Sequence, residues 1–254
     1  MSQKLPGLQE VFEAQRRIKD MIWETPLFEA APLARQAGAA SVKMKLESLQ
    51  NTGAFKVRGA SNKILGLAPE QRNRGVITFS TGNHGKAVSF VSGRTGVKAV
   101  VCLSERVPKY RVEKIRELGA EVEVYGRSQD EAEERYYQLM DERGMIPVVP
   151  FDDPAVVAGQ GTIALEMLLR EPELDLLLVP LSGGGLLAGV AMAAKAIRPD
   201  MHVVGVSIEQ SPAMLESSCE EDDSWMILSV SCRNMERISV AMVFRAWESV
   251  PISS

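Results

Sequence analysis

The chain has 254 residues, 45% apolar and 24% charged, enough to bury a substantial core in one large domain or two smaller ones. A net charge of −4 argues against the basic face that nucleic-acid binding needs, and only two histidines, His84 and His202, exclude a histidine-rich metal centre. No apolar run reaches membrane-spanning length, the first residues lack the apolar segment of a secretory signal, and Cys102, Cys219 and Cys232 form no CxxC pair, so a reduced, cytoplasmic setting is expected.

Residues 8–21 carry apolar side chains at helical spacing with charges between them, which predicts an amphipathic helix broken at Thr25-Pro26. A helical turn is expected over 32–36 and an alternating strand over 41–46. After the segment Asn51-Thr52-Gly53-Ala54-Phe55-Lys56-Val57-Arg58-Gly59-Ala60, a helix is predicted over 58–67, ended by Ala68-Pro69. From Gly75 onward short apolar strands (76–79, 98–103, 121–125) alternate with helices (86–94, 108–118, 128–143), and Cys102 is expected in the core of its strand. Residues 152–160 read as a loop or turn leading to a helix over 161–170. A buried strand over 174–181, a glycine run, an alanine-rich helix over 186–197 and a strand over 202–208 follow. The alternation predicts an α/β fold of two domains, with parallel twisted sheets flanked by helices. The smaller domain is expected at 75–146 and the larger from 1–74 together with 147–254. From 217 the chain turns polar and acidic, no glycine follows Gly205, and residues 225–254 show no clear period.

Three stretches carry chemistry. Lys56 stands between Phe55 and Val57 in a segment framed by Gly53 and Gly59. Burial disfavours an ammonium and yields an amine nucleophile or base, although a lysine on an amphipathic helix also snorkels its charge to water. Ser182-Gly183-Gly184-Gly185 lies between a strand and a helix, where backbone N–H groups and the helix start suit a phosphate; a tight, closely packed turn is the alternative. Ser80-Thr81-Gly82-Asn83-His84-Gly85 is a second strand-to-helix loop, suited to a carboxylate or phenolic oxygen, with N-capping by Ser80 or Thr81 as its structural role. A nucleophilic lysine, a phosphate cradle and a carboxylate loop together point to pyridoxal 5'-phosphate.

TGAFKVRGA resembles the lysine motif of the pyridoxal-phosphate serine/threonine dehydratases and serine racemases, the tryptophan synthase β-like (fold type II) group. STGNHG and SGGGL resemble that group's asparagine and phosphate loops, in the same order. Within it, GRSQDEAEE, PFDDPAVVAGQGTIALE and GVSIE look most like hydroxyectoine-utilisation dehydratases. The resemblance implies that Lys56 is the Schiff-base lysine, that Phe55 packs on the cofactor ring and that Asn83 meets its phenolic oxygen. Ser182, Gly183, Gly184, Gly185 and Leu186 would bind the phosphate, and Ser80, Thr81, Gly82 and His84 the substrate carboxylate. Thr81 matches the position where racemases carry a serine acid/base, and its added methyl favours elimination over racemisation.

The implied activity is that of a lyase, an ammonia-lyase of amino-acid metabolism that dehydrates threonine, serine or a hydroxyectoine-derived amino acid to a 2-keto acid and ammonia. A racemase or β-replacement enzyme on the same scaffold, or a non-catalytic truncated remnant, stands as the alternative. Ser207 replaces the acidic residue that metal-dependent relatives carry, so no metal is expected. The partners expected are an amino-acid substrate and further copies in a homo-oligomer, with neither nucleic acid nor membrane. Residues 217–254 match no such relative, and a truncated or frameshifted product is one reading of that tail.

Overall fold

The computed structural model describes residues 5–80 and 82–207, together with the backbone of strands at Met226–Ser229 and Ala241–Arg245. The readings made for residues 208–225, 230–240 and 246–254 lie outside the described residues, as does Thr81.

The alternation that begins at Gly75 builds one wholly parallel sheet. Its strands β3 (Val76–Phe79), β4 (Ala99–Leu103), β5 (Glu121–Val124) and β6 (Ile146–Pro147) run in the order β5-β4-β3-β6. All five residues of β4 are buried, Cys102 among them, because helices cover both faces of the sheet. On one face α3 (Lys56–Leu65), α5 (Asn83–Thr95) and α6 (Lys109–Glu117) pack through Val57, Ile64, Val88, Val91 and Ile115. On the other, α7 (Gln129–Arg143) sets Tyr136 and Leu139 against Ile77, Val100 and Cys102. The helix begins where expected, since Ser128 caps it by accepting from Glu131 N, and Gly144 ends it at φ 60°.

A larger sheet runs in the order β1-β2-β10-β7-β8-β9. Here β7 (Leu176–Pro180), β8 (His202–Ser207) and β9 (Met226–Ser229) are parallel. Strands β1 (Leu27–Glu29), β2 (Ser41–Lys45) and β10 (Ala241–Arg245) extend the sheet in antiparallel register. Its core lies between this sheet and the helices α1 (Leu8–Ile18), α8 (Pro154–Arg170) and α9 (Gly185–Ile197).

Helix α8 corrects the sequence reading, in which 152–160 was a loop. It starts at Pro154, because Asp153 accepts from the N–H groups of Ala155 and Val156 and proline suits the first helical position. Glycines let α8 approach its two neighbours through backbone. A Cβ on Gly159 would lie 2.7 Å from Arg58 O of α3, and one on Gly189 of α9 would lie 2.3 Å from Val157 O. Two shorter elements also exceed the sequence reading: α2 spans Ala31–Ala37, and α4 occupies Pro69–Arg74 after the Ala68-Pro69 break.

Beneath α3 lies a fully buried ionic cluster. Arg58 donates from Nε and Nη2 to Glu47, 2.8 Å each, and to Glu166 at 2.6 and 2.8 Å. Lys45 bonds the same Glu166 and the Thr25 carbonyl, while Thr25 Oγ1 donates to Glu47 at 2.6 Å. Two cations and two carboxylates therefore compensate one another through direct hydrogen bonds, the condition under which buried charge is tolerated.

Candidate active site

The site lies where the parallel sheet changes direction. From β3 the chain moves through α5 to β4 on one side, and after β5 and α7 it returns to β6 on the other side of β3. The segments leaving the carboxyl ends of β3 and β6 thus emerge side by side, the place where open α/β sheets bind ligands.

Lys56 is the first residue of α3 rather than a residue preceding it. Phe55 already has helical dihedrals, and Arg58 N donates to Phe55 O at 3.0 Å. The turn before it is tightened by Gly53 at φ 77°, whose N–H reaches Gln50 O at 2.8 Å. A side chain at a helix start leans back beyond the first turn. Lys56 Nζ accordingly leaves the helix and donates to Pro150 O at 2.7 Å, 5.2 Å from the centre of the Phe55 ring. Burial lowers its pKa to about 8, so about a tenth is neutral amine at pH 7, far more than for an exposed lysine.

The β3–α5 loop places Ser80 just after the strand, and Ser80 Oγ accepts a 3.4 Å contact from Gly82 N. Helix α5 begins at Asn83, three residues before the expected start, and its N-cap is Gly82 with no side-chain capping bond. The expected capping by Ser80 is not found, and Thr81 lies outside the described residues. The intrahelical ladder opens with Lys86 N on Gly82 O, so the N–H groups of Asn83, His84 and Gly85 precede it and point out of the helix start.

His84 is buried, 2% exposed, with Nε2 2.9 Å from Val148 O. Burial first, and the nearby Lys56 charge second, push its pKa down to about 3 against the opposing Val148 bond. The ring is neutral, and since a carbonyl only accepts, Nε2 carries the proton. Nδ1 is an acceptor with no hydrogen-bond partner among the described residues. In this tautomer the imidazole cannot donate to a carboxylate, whereas the His84 backbone N–H at the helix start can.

The glycine loop follows β7. Leu181 N donates to Val206 O at 2.7 Å, Gly184 takes φ 80° as N-cap of α9, and Ala188 N on Gly184 O at 2.8 Å opens the ladder. Leu186 and Leu187 N–H precede it at the start of an uncharged helix turn. Ser182 is exposed, Gly183 and Gly184 are half-buried, and Gly185 and Leu186 are buried.

One segment joins all three motifs, and the sequence reading did not place it in the site. Val148 O meets His84, Pro150 O meets Lys56, and Phe151 lies against the glycine loop, where a Cβ on Gly183 would sit 2.3 Å from Phe151 Cδ1. Asp153 then caps α8 and pairs with Lys63 of α3. The Asp153-Pro154 pair was the available signal for the helix start; the carbonyl contacts have none, because main-chain acceptors exist at every residue.

A family profile described as pyridoxal-phosphate dependent enzyme matches residues 18–246. Over 211 residues the chain is 44% identical to a protein of Sinorhizobium fredii provisionally named a threonine dehydratase, covering 83% of this chain and 63% of that protein. It is 40% identical over 210 residues to the L-threonine ammonia-lyase of Thermotoga maritima, covering 83% and 52%. The chain therefore spans between half and two thirds of these curated relatives. Among solved structures, the T.th. threonine deaminase superposes with a TM-score of 0.77 at 33% identity, covering 88% of this chain and 82% of that one. Maize serine racemase superposes with a TM-score of 0.81 at 33% identity, covering 84% and 65%.

Proposed function

Because the chain belongs to the pyridoxal-phosphate dependent enzyme family, we propose that it is an ammonia-lyase that converts a small hydroxy amino acid, threonine or serine, to a 2-keto acid and ammonia. The residues present fit the cofactor. A lysine amine lowered to about 8 suits an aldehyde, and a glycine loop whose Cβ positions would strike Phe151 offers bare backbone donors to a phosphate. Lys56 would hold the aldehyde end, Asn83 the ring oxygen, and residues 182–186 the phosphate, with Phe55 against the ring. Bound there, pyridoxal phosphate supplies an electron sink for the charge left on the substrate Cα.

The remaining work falls to the chain. The N–H groups of Asn83, His84 and Gly85, with Ser80 and Gly82 beside them, orient the substrate carboxylate at the α5 start. Lys56 Nζ takes the Cα proton as general base; a pKa of about 8 is close enough to neutral pH for that role. The Pro150 carbonyl, 2.7 Å from Nζ, fixes the line from which the amine acts. Neutral His84 keeps a second positive charge away from Lys56, which sustains the amine's basicity at a useful value. Residues 75–146, carrying the β3–α5 loop, form the smaller domain in this reading, and the flanking segments the larger.

The observation that carries the proposal is the convergence of Lys56, the α5 start and the glycine loop on residues 148–151. The relatives' names favour threonine as the substrate, and the likeness to a serine racemase makes serine the second choice. Incubation of the pyridoxal-phosphate-loaded protein with L-threonine and L-serine tests it. Equal amounts of 2-keto acid and ammonia are expected; conversion of L-serine to D-serine without ammonia would assign a racemase instead.

A further inference from the structure

Phe151 has an unusual setting for a large aromatic residue. It is 43% exposed, yet it lies between Pro150, the carbonyl partner of Lys56, and the short link to the α8 cap Asp153. Both its ring and its backbone rest on the glycine loop. A Cβ on Gly183 would sit 2.3 Å from Cδ1 and 2.7 Å from Cε1, and one on Gly185 would sit 2.8 Å from Phe151 Cα. Glycine at these positions is what allows the ring to reach the loop.

The loop has a second property. Residues 181–188 contain no lysine or arginine, so the loop itself offers an anion N–H donors, the Ser182 hydroxyl and the start of α9 but no charge. Neutral donors gain little over water when exposed, and gain much more once water is excluded and the local dielectric falls. A charge-free cradle therefore needs an apolar flank.

We propose that Phe151 is that flank: a specificity-determining residue that keeps water from the N–H groups of Ser182, Gly183, Gly184 and Leu186, Gly185 N being taken by Gly183 O at 3.0 Å, and so reserves them for a phosphate-bearing ligand. The inference rests on the functional reading above, with the phosphate of the cofactor as the ligand group. Pro150 meets Lys56 through its backbone carbonyl, which survives substitution at 151, so the phosphate and aldehyde ends of the site are separable.

The test compares two ligands with the same aldehyde and ring, pyridoxal phosphate and pyridoxal, which lacks the phosphate. Binding is read by visible absorbance and by intact mass after borohydride reduction, for wild type, Phe151→Ala, Phe151→Leu and Phe151→Thr. Phe151→Ala should weaken pyridoxal phosphate by about tenfold or more and leave pyridoxal within about twofold. Phe151→Leu, which keeps an apolar cover, should stay near wild type. Phe151→Thr, which keeps a branched side chain but admits water, should reproduce the phosphate-selective loss if Phe151→Ala fails to fold. Equal loss for both ligands, or no loss for either, overturns the assignment while leaving the cofactor reading intact. A wild type that binds both ligands equally also overturns it, and a wild type that binds neither overturns the functional reading and this inference together.

Discussion

Replacing Arg58 with methionine keeps an unbranched side chain in the α3–α8 interface but removes the guanidinium that four hydrogen bonds tie to Glu47 and Glu166. Arg58 is wholly buried, so the two carboxylates would be left with Lys45 as their remaining cation in the cluster. Breaking a buried pair on one side costs about 3–5 kcal/mol, a large part of the roughly 5–15 kcal/mol that holds a typical domain folded. The sign of the pH dependence should also invert. In the wild type, burial raises the Glu47 carboxyl, but the Arg58 charge and hydrogen bonds outweigh it and hold the pKa below its ordinary value. That contribution is present above the unfolded pKa of about 4.3 and is lost as pH falls through the folded value. Without Arg58, burial dominates and the folded pKa lies above the unfolded one. Relative to the wild type the variant should then gain stability as pH drops from 7 towards 5; the loss that His84 causes over this range, its folded pKa of about 3 lying below the unfolded value, is common to both proteins and cancels in the comparison. Urea denaturation followed by circular dichroism at pH 7, 6 and 5 measures both effects. A loss below about 1 kcal/mol at pH 7, or a pH profile parallel to wild type, would refute the reasoning.

Two further outcomes follow from the geometry. With Lys56 near 8, the rate of capture of pyridoxal phosphate should rise about tenfold per pH unit below that value and level off above it, measured by stopped-flow absorbance; a rate that still rises about tenfold per unit through pH 9, with no plateau, would mean that the amine is not desolvated. Gly189→Ala gains about 1 kcal/mol of helix propensity but puts a Cβ 2.3 Å from Val157 O and 2.8 Å from Gly161 N, both backbone. Overpacking of about 1–3 kcal/mol should win, giving a net loss in urea denaturation.

Strands β3, β4, β7 and β8 were legible because each is a short apolar run, and the helices around them because each ends at a glycine or proline signal; β5 alternates Glu and Val, and β6 and β9 were not read as strands. Two of the motif loops were legible because they occupy strand-to-helix junctions whose residue types suit anions; the Lys56 segment, which follows a helical turn at Glu47–Leu49, was legible as a lysine between apolar residues framed by glycines. What the sequence concealed was long-range. In residues 41–46 the alternation gives no sign that Lys45 is buried; it is so because Glu166, 121 positions away, takes its charge. The helical start at Lys56 was hidden because no capping side chain marks it. Val148, Pro150 and Phe151 escaped notice because they act through backbone carbonyls and through a ring whose partner is a glycine. Strand β10 enters the larger sheet between β2 and β7 from a tail with no readable period.

The most direct test of the account is whether the amine of Lys56 is the one that captures the cofactor. Wild type and Lys56→Ala are incubated with pyridoxal phosphate, scanned in the visible, reduced with borohydride and mapped by peptide mass. The account predicts a visible band in wild type that is absent from the variant, with the added mass confined to the peptide containing Lys56. Equal labelling of the variant, or a label carried by another lysine, would contradict it.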